Sequence, residues 1–181
     1  MNRQWLPGLL PWLGLVASNL AMAWQPPDAG MVANMLPPAP AGYQVEVRPM
    51  GLPGITMVIA DYKALGSTEH MSLMVVGQMG PIADPPGSVE PPPTPCTPDV
   101  YASGQGLRQG FQETRMAMGD SCPVPENILY YIYLSLHDDS DYLYTISAFR
   151  YAAPPFQGEG FQPLDALLDQ IDLPALAALG G

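Results

Sequence analysis

The stretch ILYYIYLSLH-DDSD-YLYTISAFRY, residues Ile128 to Tyr151, decides the fold. Two runs rich in Tyr, Ile and Leu flank the polar turn Asp138-Asp139-Ser140-Asp141. Aromatic and β-branched runs around a polar turn are the chemistry of a β-hairpin. Pairing His137 with Tyr142 sets Leu134 opposite Thr145 and Ile132 opposite Ser147 on one face. The other face then carries Tyr131, Tyr133, Tyr144, Ile146 and Ala148. Neither face is simply polar, which puts this hairpin at the centre of a sheet or under cover on both sides.

Working outward, Tyr43 to Arg48 alternates apolar and polar residues, the pattern of a half-buried strand. Gly51-Leu52-Pro53-Gly54 is a turn signal, and the β-branched run Ile55 to Ala60 completes a second hairpin. His70 to Met79 is a third strand. On the far side, Thr97-Pro98-Asp99 offers a helix start, with a capping hydroxyl, Pro in the first turn and an acid near the positive end of the dipole. Val100, Gly104, Leu107, Phe111, Thr114 and Met118 recur at three- and four-residue steps. That spacing predicts a central helix, although three glycines would weaken it by about 1 kcal/mol each if it were exposed. Pro163 opens a C-terminal helix whose stripe is Leu164, Leu167, Leu168 and Ile171, broken or kinked at Pro174. The expectation is therefore an α+β domain: an antiparallel sheet of about five strands with one central and one C-terminal helix packed on it.

Residues Met1 to Ala23 read as a secretory signal peptide. Arg3 gives a positive start, Leu6 to Val16 is largely apolar, and Ala21-Met22-Ala23 is the small-x-small pattern that signal peptidase reads. The apolar run is shorter than the roughly 20 residues that span a bilayer. Residues 24–41 form a Pro-rich arm, expected to be extended and docked by Trp24, Met31 and Met35. Residues 42–181 form a single domain interrupted by the Pro-rich loop 81–98, whose prolines bar it from a central strand or a helix. Removal of the leader leaves 158 of the 181 residues, enough for one real core.

Composition narrows the partners. After the leader, five bases (Arg48, Lys63, Arg108, Arg115, Arg150) face 17 acids, a formal charge of −12. Phosphate recognition needs clustered Lys and Arg, so neither nucleic acid nor an anionic membrane surface is an expected partner. A basic protein or a cation is favoured electrostatically. After the leader no segment suits stable membrane insertion. The two cysteines, Cys96 and Cys122, form an even count in an exported chain and point to a disulfide. It would close a loop of about 27 residues, worth about 3–4 kcal/mol.

No motif carries chemistry. Gly104-Gln105-Gly106-Leu107-Arg108-Gln109-Gly110 is one residue too long for a dinucleotide loop and follows prolines instead of a strand. His137 to Asp141 gathers an imidazole and three carboxylates but lacks the glycine and closing glutamate of a calcium loop. Met71, Met74 and Met79 lie near His70, and Met116 and Met118 near Cys122. Met71 and Met74, however, point to opposite faces of one strand. No nucleophile or zinc-protease signature occurs, and His70 and His137 are the only imidazoles. No cofactor is expected. Six of the nine tyrosines crowd into residues 130–151, and Tyr131, Tyr133 and Tyr144 are the candidate interface, because tyrosine combines large contact area with a polar tip.

These features lead to a non-catalytic, periplasmic or secreted protein that binds another protein or stabilises an envelope assembly. A small-ligand or metal-binding module is the alternative, with a hydrolase third. Sequencing of the exported protein should find Trp24 at the N-terminus; an intact Met1 would exclude leader cleavage.

Overall fold

The computed structural model describes residues 25–80, 97–122, 124–138 and 142–180. The leader Met1–Ala23, most of the Pro-rich loop and Cys96 lie outside the described residues. Seven strands form one antiparallel sheet: β1 (Tyr43–Leu52), β2 (Ile55–Ala64), β3 (His70–Met79), β4 (Val100–Arg108), β5 (Phe111–Gly119), β6 (Ile128–Asp138) and β7 (Tyr142–Ala152). Their order is β1-β2-β3-β7-β6-β5-β4. The sheet is thus two meanders, β1 to β3 and β4 to β7, joined where β7 pairs antiparallel with β3. β7 is the central strand, with three strands on either side.

The five-strand sheet with a central helix is overturned. The segment expected to be that helix is the edge hairpin β4–β5, in which Arg108 pairs with Phe111 across Gln109-Gly110. Both loop residues have positive φ, 49° and 91°, the requirement of a type I′ turn whose twist matches its flanking strands. Gly104, Gly106 and Gly110, a burden on a helix, are tolerated in an edge strand and required in the turn. The alternation Glu113, Arg115, Ala117 against Gln112, Thr114, Met116 on β5 is the period of two that the glycine spacing masked.

Helices are short and cover one face. They are α1 (Ala29–Asn34), α2 (Gln162–Leu168) and α3 (Leu173–Ala177). Helix α1 corrects the expectation of an extended arm: Asp28 caps it by accepting from the Met31 N–H at 2.9 Å. The arm docks through Val32 and Leu36, both buried, while Met31 points to solvent. The C-terminal stripe behaves as its spacing implies, with Leu164, Leu167, Leu168 and Ile171 buried. Pro174 stands in the first turn of α3, where its missing N–H costs nothing, and Asp172 caps that turn through Ala175.

Beneath these segments lies the core: Val58 and Ala60 on β2, Leu73 and Val75 on β3, Ile146 and Ala148 on β7, and Ile132 and Leu134 on β6. Three fully buried tyrosines, Tyr62, Tyr130 and Tyr144, complete it. Each hydroxyl donates to a main-chain carbonyl of a covering segment: Tyr62 to Pro37 at 2.8 Å, Tyr130 to Gln157 at 2.9 Å and Tyr144 to Leu176 at 3.2 Å. Tyr130 also accepts from the Gln157 N–H. Gly160 lies so close to the Tyr130 ring that a Cβ there would sit 2.0 Å from it. Burial pushes the Tyr62 phenol up to about 12 and raises that of Tyr144 further, so both remain donors.

No free cysteine occurs among the described residues. Cys122 lies in the turn between β5 and β6, and the bond to Cys96 stays a proposal because that partner is outside the described residues.

At the β4–β5 edge the covered face turns ionic. Arg108 donates to Glu113 at 2.6 Å and also bonds Asp165 and Asp169 of the α2 region. Arg115 bonds Glu113 and takes Asp165 in a two-pronged grip at 2.8 and 3.0 Å. Its guanidinium also stands over the Phe161 ring at 5.8 Å. Two arginines on the sheet thereby hold α2 where apolar contact runs out. Burial works against the Glu113 charge, but the hydrogen bonds and charges of Arg115 and Arg108 outweigh it and hold its carboxyl below its ordinary value. The folded chain therefore takes up this proton less readily than the unfolded chain. The associated stability is complete above the ordinary glutamate value of ~4.3 and fades as pH falls from there towards the lowered folded value. Urea midpoints measured against pH should show a weaker acid loss in Glu113→Gln than in the native chain; identical acid limbs would refute this role.

Candidate functional site

The tyrosine hairpin does not take the expected register. His137 pairs with Tyr144, not Tyr142, and Leu134 lies opposite Ile146. A bulge between Ser135 and His137 inserts Leu136, which is buried. In a strand, a shift of one residue exchanges the two faces. Tyr144 is consequently carried to the covered face with Leu134 and Ile146, and it is withdrawn from the candidate interface. Tyr131 and Tyr133 stay on the opposite face, half-buried. Their rings stack at 6.5 Å, and the Tyr131 hydroxyl lies 3.1 Å from Ser147 Oγ on β7.

Among the described residues no helix packs on that face. Following the pairings across the sheet gives its composition. One row runs Arg48, Ile59, Met74, Ser147, Tyr133 and Thr114; the next runs Glu46, Asp61, Ser72, Phe149, Tyr131 and Met116. Its middle mixes Ile59, Met74, Phe149 and Met116, all half-buried, with the buried Ser72 and Ser147. Charged pairs lie on β1 and β2, where Arg48 bonds Asp61 and Lys63 reaches Glu46 at 3.4 Å. Ser72 donates to Asp61 at 2.6 Å. A flat, aromatic and methionine-rich centre with a paired ionic margin has the character of a protein interface.

The other candidates do not assemble. Met71 is buried under the helices while Met74 faces the opposite side, so no thioether cluster forms around His70. No group of three or more His, Cys, Asp or Glu is placed to hold a metal among the described residues. The His137 ring stacks on Tyr142 at 3.8 Å, while Asp139 to Asp141 lie outside the described residues. The glycine-rich segment 104–110 is strand and turn, with no helix N-terminus to receive a phosphate.

A groove of about 880 Å³ opens at one end of the sheet, lined by residues that include Ser67, Glu69, His70, Asn127 and Arg150. Its polar groups serve one another. Arg150 donates to Glu69 at 2.6 Å, and Asp120 accepts from the Asn127 main-chain N–H and side-chain amide at 2.9 Å each. Arg150 Nε is buried without a hydrogen-bond partner. Ligand pockets set a few free polar groups in an apolar cavity; here Glu69 and Asp120 are already engaged by Arg150 and Asn127.

No protein-family model, curated protein or solved structure matches the chain, so the site is argued from its own residues.

Sequence reasoning found Tyr131 and Tyr133 but missed Ile59, Met74, Met116 and Phe149, the apolar residues that surround them. The signal was present in the alternation of β2, β3 and β7, but it belongs to a face only once the strand order is known. The register yields a sharp contrast. Tyr144→Ala should cost about 3–5 kcal/mol of stability, as for buried aromatics, whereas Tyr133→Ala should cost well under half as much. Urea midpoints of equal depression would show that both rings lie in one core.

Proposed function

We propose that this is an exported, non-catalytic protein that binds another protein, or holds an envelope assembly together, through the face of its sheet opposite the described helices. One observation carries the reading: seven strands present an aromatic and methionine-rich surface while the described helices all lie on the opposite side. A one-sided antiparallel sheet in water ordinarily shows a polar outer face. Here Ile59, Met74, Phe149, Tyr131, Tyr133 and Met116 lie on that face together with Ser72 and Ser147.

Support for export comes from Arg3, the apolar run and Ala21-Met22-Ala23, together with an even cysteine count that suits an oxidising compartment. The acidic excess accords with a protein kept soluble by its charge.

The test is capture by the tagged mature chain from its native compartment, run beside Tyr131→Ala/Tyr133→Ala. Interface aromatics commonly contribute about 2 kcal/mol or more to binding. The double variant should keep its circular dichroism and lose the captured protein. Capture undiminished in the folded variant would refute this surface.

A further inference from the structure

We infer that the Pro-rich segment 81–96 crosses the sheet face opposite the helices and docks there on Tyr131 and Tyr133. The chain's own prolines then compete with any partner for that face. The competition rests on the protein-binding reading above; the docking does not.

Topology argues first. Four antiparallel steps lead from β3 through β7, β6 and β5 to β4, so β3 and β4 run parallel. Parallel strands of one sheet are joined by a crossover, which carries the chain from one end of the sheet to the other. The pairings set Val100, the first residue of β4, in line with Met118, Leu129 and Tyr151. Tyr151 follows Arg150, the partner of Met71 near the start of β3. The chain that leaves β3 at Met79 therefore has to return the whole length of the sheet.

Length argues second. Strands lie ~4.8 Å apart and rise ~3.3 Å per residue, which makes the diagonal from the end of β3 to the start of β4 about 35 Å. A path along the end of the sheet and down the outer edge of β4 needs about 50 Å at least. The 17 steps from Gly80 to Thr97 pass through seven prolines. At ~3.1 Å per residue, the rise of polyproline II, they reach about 53 Å. The edge route takes nearly all of that reach, whereas a route across a face leaves slack. One face is already filled: Val58, Ile132 and Ile146 lie fully buried beneath the helices and their flanking chain. The other face remains.

Chemistry argues third. Proline-rich segments dock on aromatic surfaces, where rings pack on rings and hydroxyls donate to carbonyls that no helix or sheet engages. This molecule uses the same contact to hold its N-terminal arm, with Tyr62 donating to Pro37 and Thr56 to Pro27. On the face opposite the helices Tyr131 and Tyr133 stack side by side, and Tyr133 is engaged beyond that stack. On the neighbouring strands Ser72, Thr145 and Ser147 are buried, which accords with chain lying over them.

The experiment is hydroxyl-radical labelling of the mature chain beside a variant whose residues 82–95 are replaced by a Gly-Ser chain of equal length. Tyr131 and Tyr133 should label several-fold more in the folded variant, while Met31, 53% exposed on α1, labels equally in both. If the variant does not fold, nuclear Overhauser contacts in the native mature chain give the same answer. They should join the Tyr131 and Tyr133 rings to prolines of 81–95. Equal tyrosine labelling in the folded variant, or native rings without those contacts, overturns the docking. With the docking shown, the variant should capture more of the partner than the native chain does. Equal capture that Tyr131→Ala/Tyr133→Ala still abolishes overturns the competition alone. Capture indifferent to those two changes sinks the protein-binding reading and leaves the docking in place.

Discussion

The covered half of this molecule depends on three phenolic hydroxyls. Helices of six, seven and five residues cannot by themselves roof seven strands. Much of the cover is therefore irregular chain, and irregular chain buries carbonyls that no helix satisfies. Tyr62, Tyr130 and Tyr144 rise from β2, β6 and β7 and donate to Pro37, Gln157 and Leu176. One pins the N-terminal arm, one the segment after β7, and one the C-terminal turn. Phenylalanine would fill the same space but leave each carbonyl without that donor, at about 1–3 kcal/mol apiece. The arm shows the principle most plainly. Its prolines have no N–H to offer, yet their carbonyls remain, and Tyr62 and Thr56 take those of Pro37 and Pro27.

This arrangement also explains which tyrosines are which. Six crowd into residues 130–151, and composition alone suggests a single aromatic face. The fold separates them. Tyr130 and Tyr144 serve the core as hydrogen-bonding pillars, while Tyr131 and Tyr133 stack on the opposite side. The bulge that admits Leu136 makes the separation, because it sets Tyr144 against His137 and Leu134 against Ile146. A bulge is a local event, but nothing in Ser135, Leu136 and His137 marks it: there is no glycine and no proline. The strands themselves were legible, since alternation in Tyr43–Arg48 and the runs Ile55–Ala60 and His70–Met79 are local patterns. So was the C-terminal stripe. The β4–β5 hairpin was not, because Gly104, Leu107, Phe111 and Thr114 satisfy helical steps by accident and Gln109-Gly110 is an uncommon pair for its turn. Which residues share the face opposite the helices is a property of strand order, and strand order is set by the β3–β7 pairing across nearly seventy residues of chain.

The sheet guards its edges, and this bears on how a partner could meet it. An edge strand presents unpaired N–H and C=O groups to any passing chain, and proteins blunt such edges with proline, bulges and glycine kinks. Edge strand β1 carries Pro49 in its middle. Edge strand β4 carries Gly104 and Gly106 and an irregularity between Val100 and Ala102. Both edges are thus poorly suited to strand addition, one of the ways in which a sheet recruits a partner. The face opposite the helices differs. Beyond the charge pairs on β1 and β2, the two rows from β3 to β5 carry serine, threonine, methionine and aromatic side chains. Protected edges disfavour strand addition, and side-chain contact through that face is then the route that the proposed protein partner would use.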